Sequence, residues 1–298
     1  MRRYKYSDLL LYEGKIGNLY TKLKLGYNST NRISQYFKFL SYIEKFRTSD
    51  PERLNNLIKH NKAKYYFSLY YVLEICNIIS ALENSNHDET FLKRKLIDLA
   101  KGTYLLSEEN NNNTKARDTT FELSLFSFFH SKGLDINLDD PNPDLRLSSN
   151  KFIYNIECKR PFSEKTLEKH IKKAVNQLEK TKTENSVPTI AISLEQIVFG
   201  NNGNIDFILD SKDQKTALQR LDMLLLNALQ KYNPLLGKIF NNRPYLILYY
   251  ISCLAGLRVE GIMANATFIT GNVFNFEDSM GRSITNDLYG MIPSTVAE

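Results

Sequence analysis

The amino-acid sequence predicts an α/β protein, a mixed sheet flanked by helices that follows a mostly helical front region. Three observations carry that expectation. Residues 31–101 repeat apolar side chains at helical period, with cap or turn residues at every break. The segment 107–114, Ser-Glu-Glu-Asn-Asn-Asn-Asn-Thr, has no apolar residue. Beyond it the period switches repeatedly, in the order helix, three strands, helix, strand.

In the front region the breaks fall at Asp50-Pro51, around His60-Asn61 and from Asn84 to Asp88. Asp and Asn cap helices and Pro suits a first turn, so these breaks separate consecutive helices. Lys64 to Leu82 is apolar nearly all round, the pattern of a central bundle helix. Its tyrosines read as buried aromatic core in preference to platforms for stacked bases. Ser107 to Thr114 reads as a flexible linker or long loop, which divides a basic helical domain, 1–110, from a second domain, 115–298.

In the second domain, Thr119 to Ser131 is a helix ended by Gly133, and Leu134 to Leu138 a short strand. The turn cluster Asp139-Asp140-Pro141-Asn142-Pro143 leads into a strand pair, Asp144 to Leu147 and Lys151 to Lys159, joined by Ser148-Ser149-Asn150. Pro161 stops the second strand, and Ser163 caps a helix that runs to about Lys182. Thr189 to Leu194, after Pro188, is a further strand. Lys212 to Tyr232 reads as an amphipathic helix, Tyr245 to Ser252 as a buried strand and Gly261 to Thr270 as a last strand. The tail from Asn275 is polar and predicts no element.

With 298 residues and 42% hydrophobic content the chain can bury a substantial core. Its most membrane-like stretch, Tyr245 to Leu257, falls short of the roughly 20 residues a spanning helix needs. Residues 1–11 lack the apolar run of a secretory signal. A cytoplasmic protein with no membrane partner is expected. The three cysteines and four histidines show no ligand spacing. Any metal must therefore be held by carboxylates.

Charge is unevenly distributed. Residues 1–110 hold 18 Lys and Arg against 12 Asp and Glu, which leaves 21 of each sign in the remainder. A basic front segment suits an anionic partner such as nucleic acid, and on charge alone it suits a solvated helical surface equally.

Alternation along Lys151 to Lys159 places Phe152, Tyr154, Ile156 and Cys158 on one face and Ile153, Asn155, Glu157 and Lys159 on the other. In the partner strand Asp144 and Arg146 share a face. A hairpin between the two strands brings Asp144 near Glu157 and Lys159. Two converging carboxylates make a hard oxygen site suited to Mg²⁺ or Mn²⁺, and a neighbouring lysine can orient a water or stabilise developing negative charge. Acid-x-Lys triplets also occur at Glu13, Asp210 and Asp213, where a missing strand or a helix start explains them. Only the triplet at Glu157 has an alternating strand and an upstream Pro-Asp.

The pattern Pro143-Asp144, then Glu157-Cys158-Lys159, resembles the PD-(D/E)xK nuclease superfamily, over roughly Lys115 to Leu194. The resemblance implies a restriction-endonuclease-like core within the second domain and metal-dependent hydrolysis of phosphodiester bonds. Asp144 and Glu157 would be metal ligands with the Cys158 carbonyl a third, and Lys159 the catalytic lysine. Glu122 matches a glutamate that members often add from the preceding helix, and Gln177 a glutamine on the following one, with Lys173 a turn before it as a phosphate contact. The implied cofactor is Mg²⁺, with Mn²⁺ as a substitute, and the implied substrate is DNA ahead of RNA. Such free-standing nucleases commonly serve bacterial restriction or antiviral defence, and a homodimer would let two sites cut both strands. No GxxxxGK[ST] motif is present, so a strand-opening or sensing engine would be a separate ATPase, helicase or sensor subunit. A non-cutting nucleic-acid-binding or assembly subunit, a ribonuclease and a structure-specific nuclease are the alternatives.

Overall fold

The computed structural model describes residues 6–47, 49–85, 88–105, 108–109, 113–138, 143–183, 186–199, 208–257 and 262–292. The front region is helical: α1 (Tyr6–Lys22), α2 (Arg32–Arg47), α3 (Pro51–His60), α4 (Lys62–Glu83) and α5 (Glu89–Ala100). Asp50 caps α3 by accepting the Arg53 N–H, with Pro51 in the first turn, and Asp88 caps α5 through the Phe91 N–H. Among the described residues α4 alone is long and apolar enough to span a membrane, and 78% of its most apolar window is buried. It is the central helix that its all-round apolar pattern predicts. Tyr70 and Tyr71 are buried in it as core. The first helix, α1, lies ahead of the predicted helical region, and its Leu9, Ile16 and Tyr20 pack into the same core.

A helix α6 (Lys115–His130) then leads into the sheet: β1 (Asp135–Leu138), β2 (Leu145–Ser148), β3 (Ile153–Lys159), α7 (Glu164–Leu178), β4 (Ser186–Ser193), α8 (Glu195–Phe199), β5 (Ile208–Ser211), α9 (Gln214–Phe240), β6 (Tyr245–Leu257), β7 (Ile262–Phe274) and α10 (Asp278–Met291). Gly133 ends α6 at φ +75°, a conformation that favours glycine. The seven strands form one mixed sheet in the order β1-β2-β3-β4-β6-β5, with β7 along the other edge of β6. The first three strands are antiparallel, and β3, β4 and β6 run parallel. The mixed α/β class, with helices preceding and flanking the sheet, is therefore as predicted.

Both sheet faces are covered. Leu145, Leu147, Tyr154, Ile156, Leu246, Leu248 and Tyr250 pack with the front helices and α6, while Ile190, Ile192, Ile247, Tyr249 and Ile251 pack against α7 and α9. Strict alternation along β6 supplies both faces, which is why a strand buried on two sides reads as one long apolar run. The front helices share a continuous core with the sheet. Residues 107 and 110–112 of the expected linker lie outside the described residues.

Several elements differ from their predicted form. Of the expected flexible linker, Glu109 has a fully buried side chain, because Arg117 and Arg160 need its charge. Helix α9 continues through Pro234 to Phe240, since burial of Leu236 and Phe240 outweighs the lost hydrogen bond. Strand β4 contains Pro188, which falls one residue before its ladder with β6 begins at Thr189. β6 and β7 extend beyond their predicted ends because they pair with each other along their full length. The polar tail forms α10, anchored by Ile284 and Leu288, and a side chain at Gly271 would collide with Leu288. Asp213 caps α9 as expected, whereas Asp210 lies in β5.

Candidate active site

Glu157 and Lys159, two residues apart at the end of β3, project from one face of the strand. The β2–β3 register pairs Leu145 with Ile156, so Asp144 stands opposite Glu157, just before β2 begins. The Cys158 N–H donates to Asp144 Oδ2 at 2.8 Å, and Lys159 Nζ donates to Glu157 Oε2 at 2.9 Å. The charge of Asp144 acts on the Glu157 carboxyl. Glu122 enters from α6, close enough for Asp144 and Glu157 to act on its charge. Lys95 of α5 donates to Glu122 Oε2 at 2.6 Å. The structure therefore brings together Glu122, Asp144, Glu157, Cys158 and Lys159.

The cluster is strongly desolvated. Glu157 is 0% exposed, Glu122 6% and Lys159 9%, while Asp144 is half-buried. Burial, followed by the Asp144 charge, pushes the Glu157 carboxyl up to about 7 against the pull of Lys159. Burial and then Asp144 push Glu122 up to about 8, opposed by Lys95. Burial, followed by the charges of Asp144 and Glu122, also raises the Cys158 thiol well above its ordinary value, so the thiol is unreactive.

The residue after Lys159 anchors the strand end. Arg160 donates to Glu109 through Nη1 at 2.6 Å and Nη2 at 3.0 Å, and to Gln196 Oε1 at 3.3 Å. Arg117 of α6 lies 3.2 Å from the same carboxylate and 4.6 Å over the Tyr71 ring. Three segments of chain thus converge on Glu109. Nearby, buried Glu195 accepts from Tyr70 at 3.0 Å, and buried Glu74 accepts from Ser252 at 3.0 Å and from Ser124 and Asn265. Neither Lys95 nor the Glu109 clamp was foreseeable from local pattern, because their partners lie 27 and 51 residues away.

Helix α7 starts beside the Lys159 end of β3 and runs back toward its beginning, where Asn155 donates to the Thr181 carbonyl at 3.1 Å. Ser163 forms a capping box with Thr166 at its start. His170 is the α7 residue whose charge Lys159 influences, together with Lys169 and Lys173, and burial holds it below the ordinary histidine value. Gln177 is half-buried in the last turn of α7, toward the Asn155 end of the strand. Lys172 pairs with Glu168 and Lys231 with Glu164 on the outer surface.

The donor set suits a hard divalent cation. Neighbouring carboxylates repel unless a positive charge lies beside them, and Lys159 bonds only one of the two. A strand residue's N–H and C=O leave the same edge, so the Cys158 carbonyl lies on the Asp144 edge of β3. Among the described residues no three His, Cys, Asp or Glu side chains are grouped closely enough to hold an ion. An ion here would rest on Asp144, Glu157, the Cys158 carbonyl and water, a set that suits Mg²⁺ and Mn²⁺.

A surface hollow of about 440 Å³ along α3 and an interior void of about 10 Å³ beside Arg117 and Arg160 both lie apart from Asp144, Glu157 and Lys159. The void has room for about one water molecule. Compared with known proteins, the chain matches no family model, no curated protein and no solved structure.

Proposed function

We propose that the chain is a metal-dependent nuclease that hydrolyses phosphodiester bonds, with Asp144, Glu157 and Lys159 as its centre. One observation carries the reading: two acids set opposite each other by the β2–β3 pairing, with an ammonium 2.9 Å from one of them, at the end of a paired strand. A structural ion pair needs one acid for one base. The second acid accepts the Cys158 N–H and also raises the pKa of the first, and a perturbed acid pair of this kind is common where a site is kept for chemistry.

When bound, Mg²⁺ or Mn²⁺ would neutralise charge on a phosphoryl group and lower the pKa of a bound water. Asp144 and Glu157 would hold it with the Cys158 carbonyl. Lys159, fixed by Glu157 and by the anchored Arg160 behind it, aims its ammonium where negative charge develops on the phosphoryl oxygens. Glu122 adds a third carboxylate that can accept a hydrogen bond from an attacking water. The similarity of Asp144 and Glu157-Cys158-Lys159 to PD-(D/E)xK nucleases supports the same reaction. DNA is the proposed substrate, an endonuclease in a bacterial defence setting the proposed role, and a separate ATPase or sensor the proposed regulator.

Incubation of purified protein with supercoiled plasmid and Mg²⁺ or Mn²⁺ tests the reading. Wild type should nick or linearise the plasmid, and Asp144→Asn and Lys159→Met should each lower the rate at least about 100-fold. Equal cutting by wild type and either variant would place the chemistry elsewhere. Parallel gels with single-stranded DNA and RNA decide among substrates.

A further inference from the structure

We infer that Lys95, supplied by the helical front region, is a positioning residue of the candidate site, holding the Glu122 carboxylate beside Asp144 and Glu157. The inference rests on the nuclease reading and adds a component to it. Lys95 lies on α5, whose Leu92, Leu96 and Leu99 are seated in the core shared with α6. From there Nζ donates to Glu122 Oε2 at 2.6 Å and lies against Oε1, which itself accepts no hydrogen bond, so the ammonium is held on the carboxylate by one bond and an ion pair. The side chains of Lys95 and Glu122 are 13% and 8% exposed. The ammonium also sits 5.1 Å over the ring of Phe91, one turn earlier on the same helix.

Two features separate this pair from an ordinary salt bridge. First, Glu122 faces two further acids, and their repulsion would turn a free glutamate side chain away from them. The bond to Oε2 opposes that rotation. Second, Lys159 is already bonded to Glu157, so Lys95 supplies the second cation for a group of three carboxylates. With all three acids ionised, that leaves one uncompensated negative charge, which a divalent cation and one phosphodiester anion would balance. Without Lys95 the same group would carry two. The front helices are thereby a wall of the site as well as a basic surface.

Mn²⁺ binding and plasmid cleavage by full-length wild type, Lys95→Met, Lys95→Arg, Glu122→Gln and the Lys95→Met/Glu122→Gln double variant test the inference. Lys95→Met should weaken Mn²⁺ binding and lower kcat by about 10- to 100-fold, the usual effect of removing a residue that supports a metal site from outside its ligands. KM should stay within about threefold, and Lys95→Arg should recover most of the loss. In the Glu122→Gln background Lys95→Met should add nothing, because it acts through Glu122. Duplex DNA binding in EDTA should be unchanged within about twofold.

A raised KM at constant kcat, or weakened DNA binding in EDTA, would make Lys95 a substrate contact and overturn the inference. So would an equal loss in the Glu122→Gln background, or unchanged Mn²⁺ binding by Lys95→Met. A wild type that neither binds Mn²⁺ nor cuts would overturn the nuclease reading and this inference with it. A competent wild type with an indifferent Lys95→Met would overturn this inference alone.

Discussion

Replacing Glu109 with alanine should be among the most damaging single substitutions outside the apolar core. Its carboxylate accepts from Arg160 at 2.6 and 3.0 Å and lies 3.2 Å from Arg117, with the glutamate side chain fully buried and both arginines within 3% of full burial. Burial alone would depress the Arg160 pKa, and the charge and hydrogen bonds of Glu109, with Tyr71 and Asp118 beside them, together outweigh that effect. Removal of one partner from a buried pair costs about 3–5 kcal/mol, because a desolvated charge is left uncompensated. Here two guanidinium groups lose their shared anion. Each keeps lesser acceptors, Gln196 for Arg160 and the Thr103 and Tyr104 carbonyls for Arg117, which place the cost toward the lower end, about 3 kcal/mol. That is a large part of the 5–15 kcal/mol typical of a folded protein. Urea unfolding followed by circular dichroism measures it. Glu109→Gln, which retains an acceptor of the same shape, should lose roughly half as much. A Glu109→Ala variant within about 0.5 kcal/mol of wild type would refute the buried clamp.

Three further outcomes follow from the site. The folded-state pKa of Glu122 is raised from 4.5 to about 8, so its contribution to stability is complete below about 4.5 and is lost as pH rises through about 8. At about 1.4 kcal/mol per unit, the metal-free protein should lose on the order of 3–5 kcal/mol across that window, and Glu122→Gln, which cannot ionise, should flatten the curve of unfolding free energy against pH. Addition of Mn²⁺ at pH 8 should raise the wild-type melting temperature and leave that of Asp144→Asn nearly unchanged, as read by differential scanning fluorimetry. All three cysteines should resist a thiol reagent in the native protein and react on unfolding, because Cys76 and Cys253 are buried and burial raises the Cys158 thiol.

Much of the candidate site was legible along the chain because its central part is local. Period-2 alternation in Lys151 to Lys159 put Glu157 and Lys159 on one face, and the short turn 149–152 brought Asp144 opposite. The same short-range physics marked the caps at Asp50 and Asp88, the capping box at Ser163 and the glycine stop after α6. Extension of α9 past Pro234 and the presence of α10 were hidden, because buried contacts with distant elements override a local breaker or a polar composition.

Local sequence thus determined which side chains share a strand face and where helices begin, since those follow from the backbone repeat and from groups a few residues apart. Only the tertiary structure decided that Lys95 grips Glu122, that Glu109 neutralises Arg160 and Arg117, and that the front helices and the sheet bury one core. Burial turns each of these charges from a solvated surface group into one that requires a partner, and burial depends on where the whole chain packs.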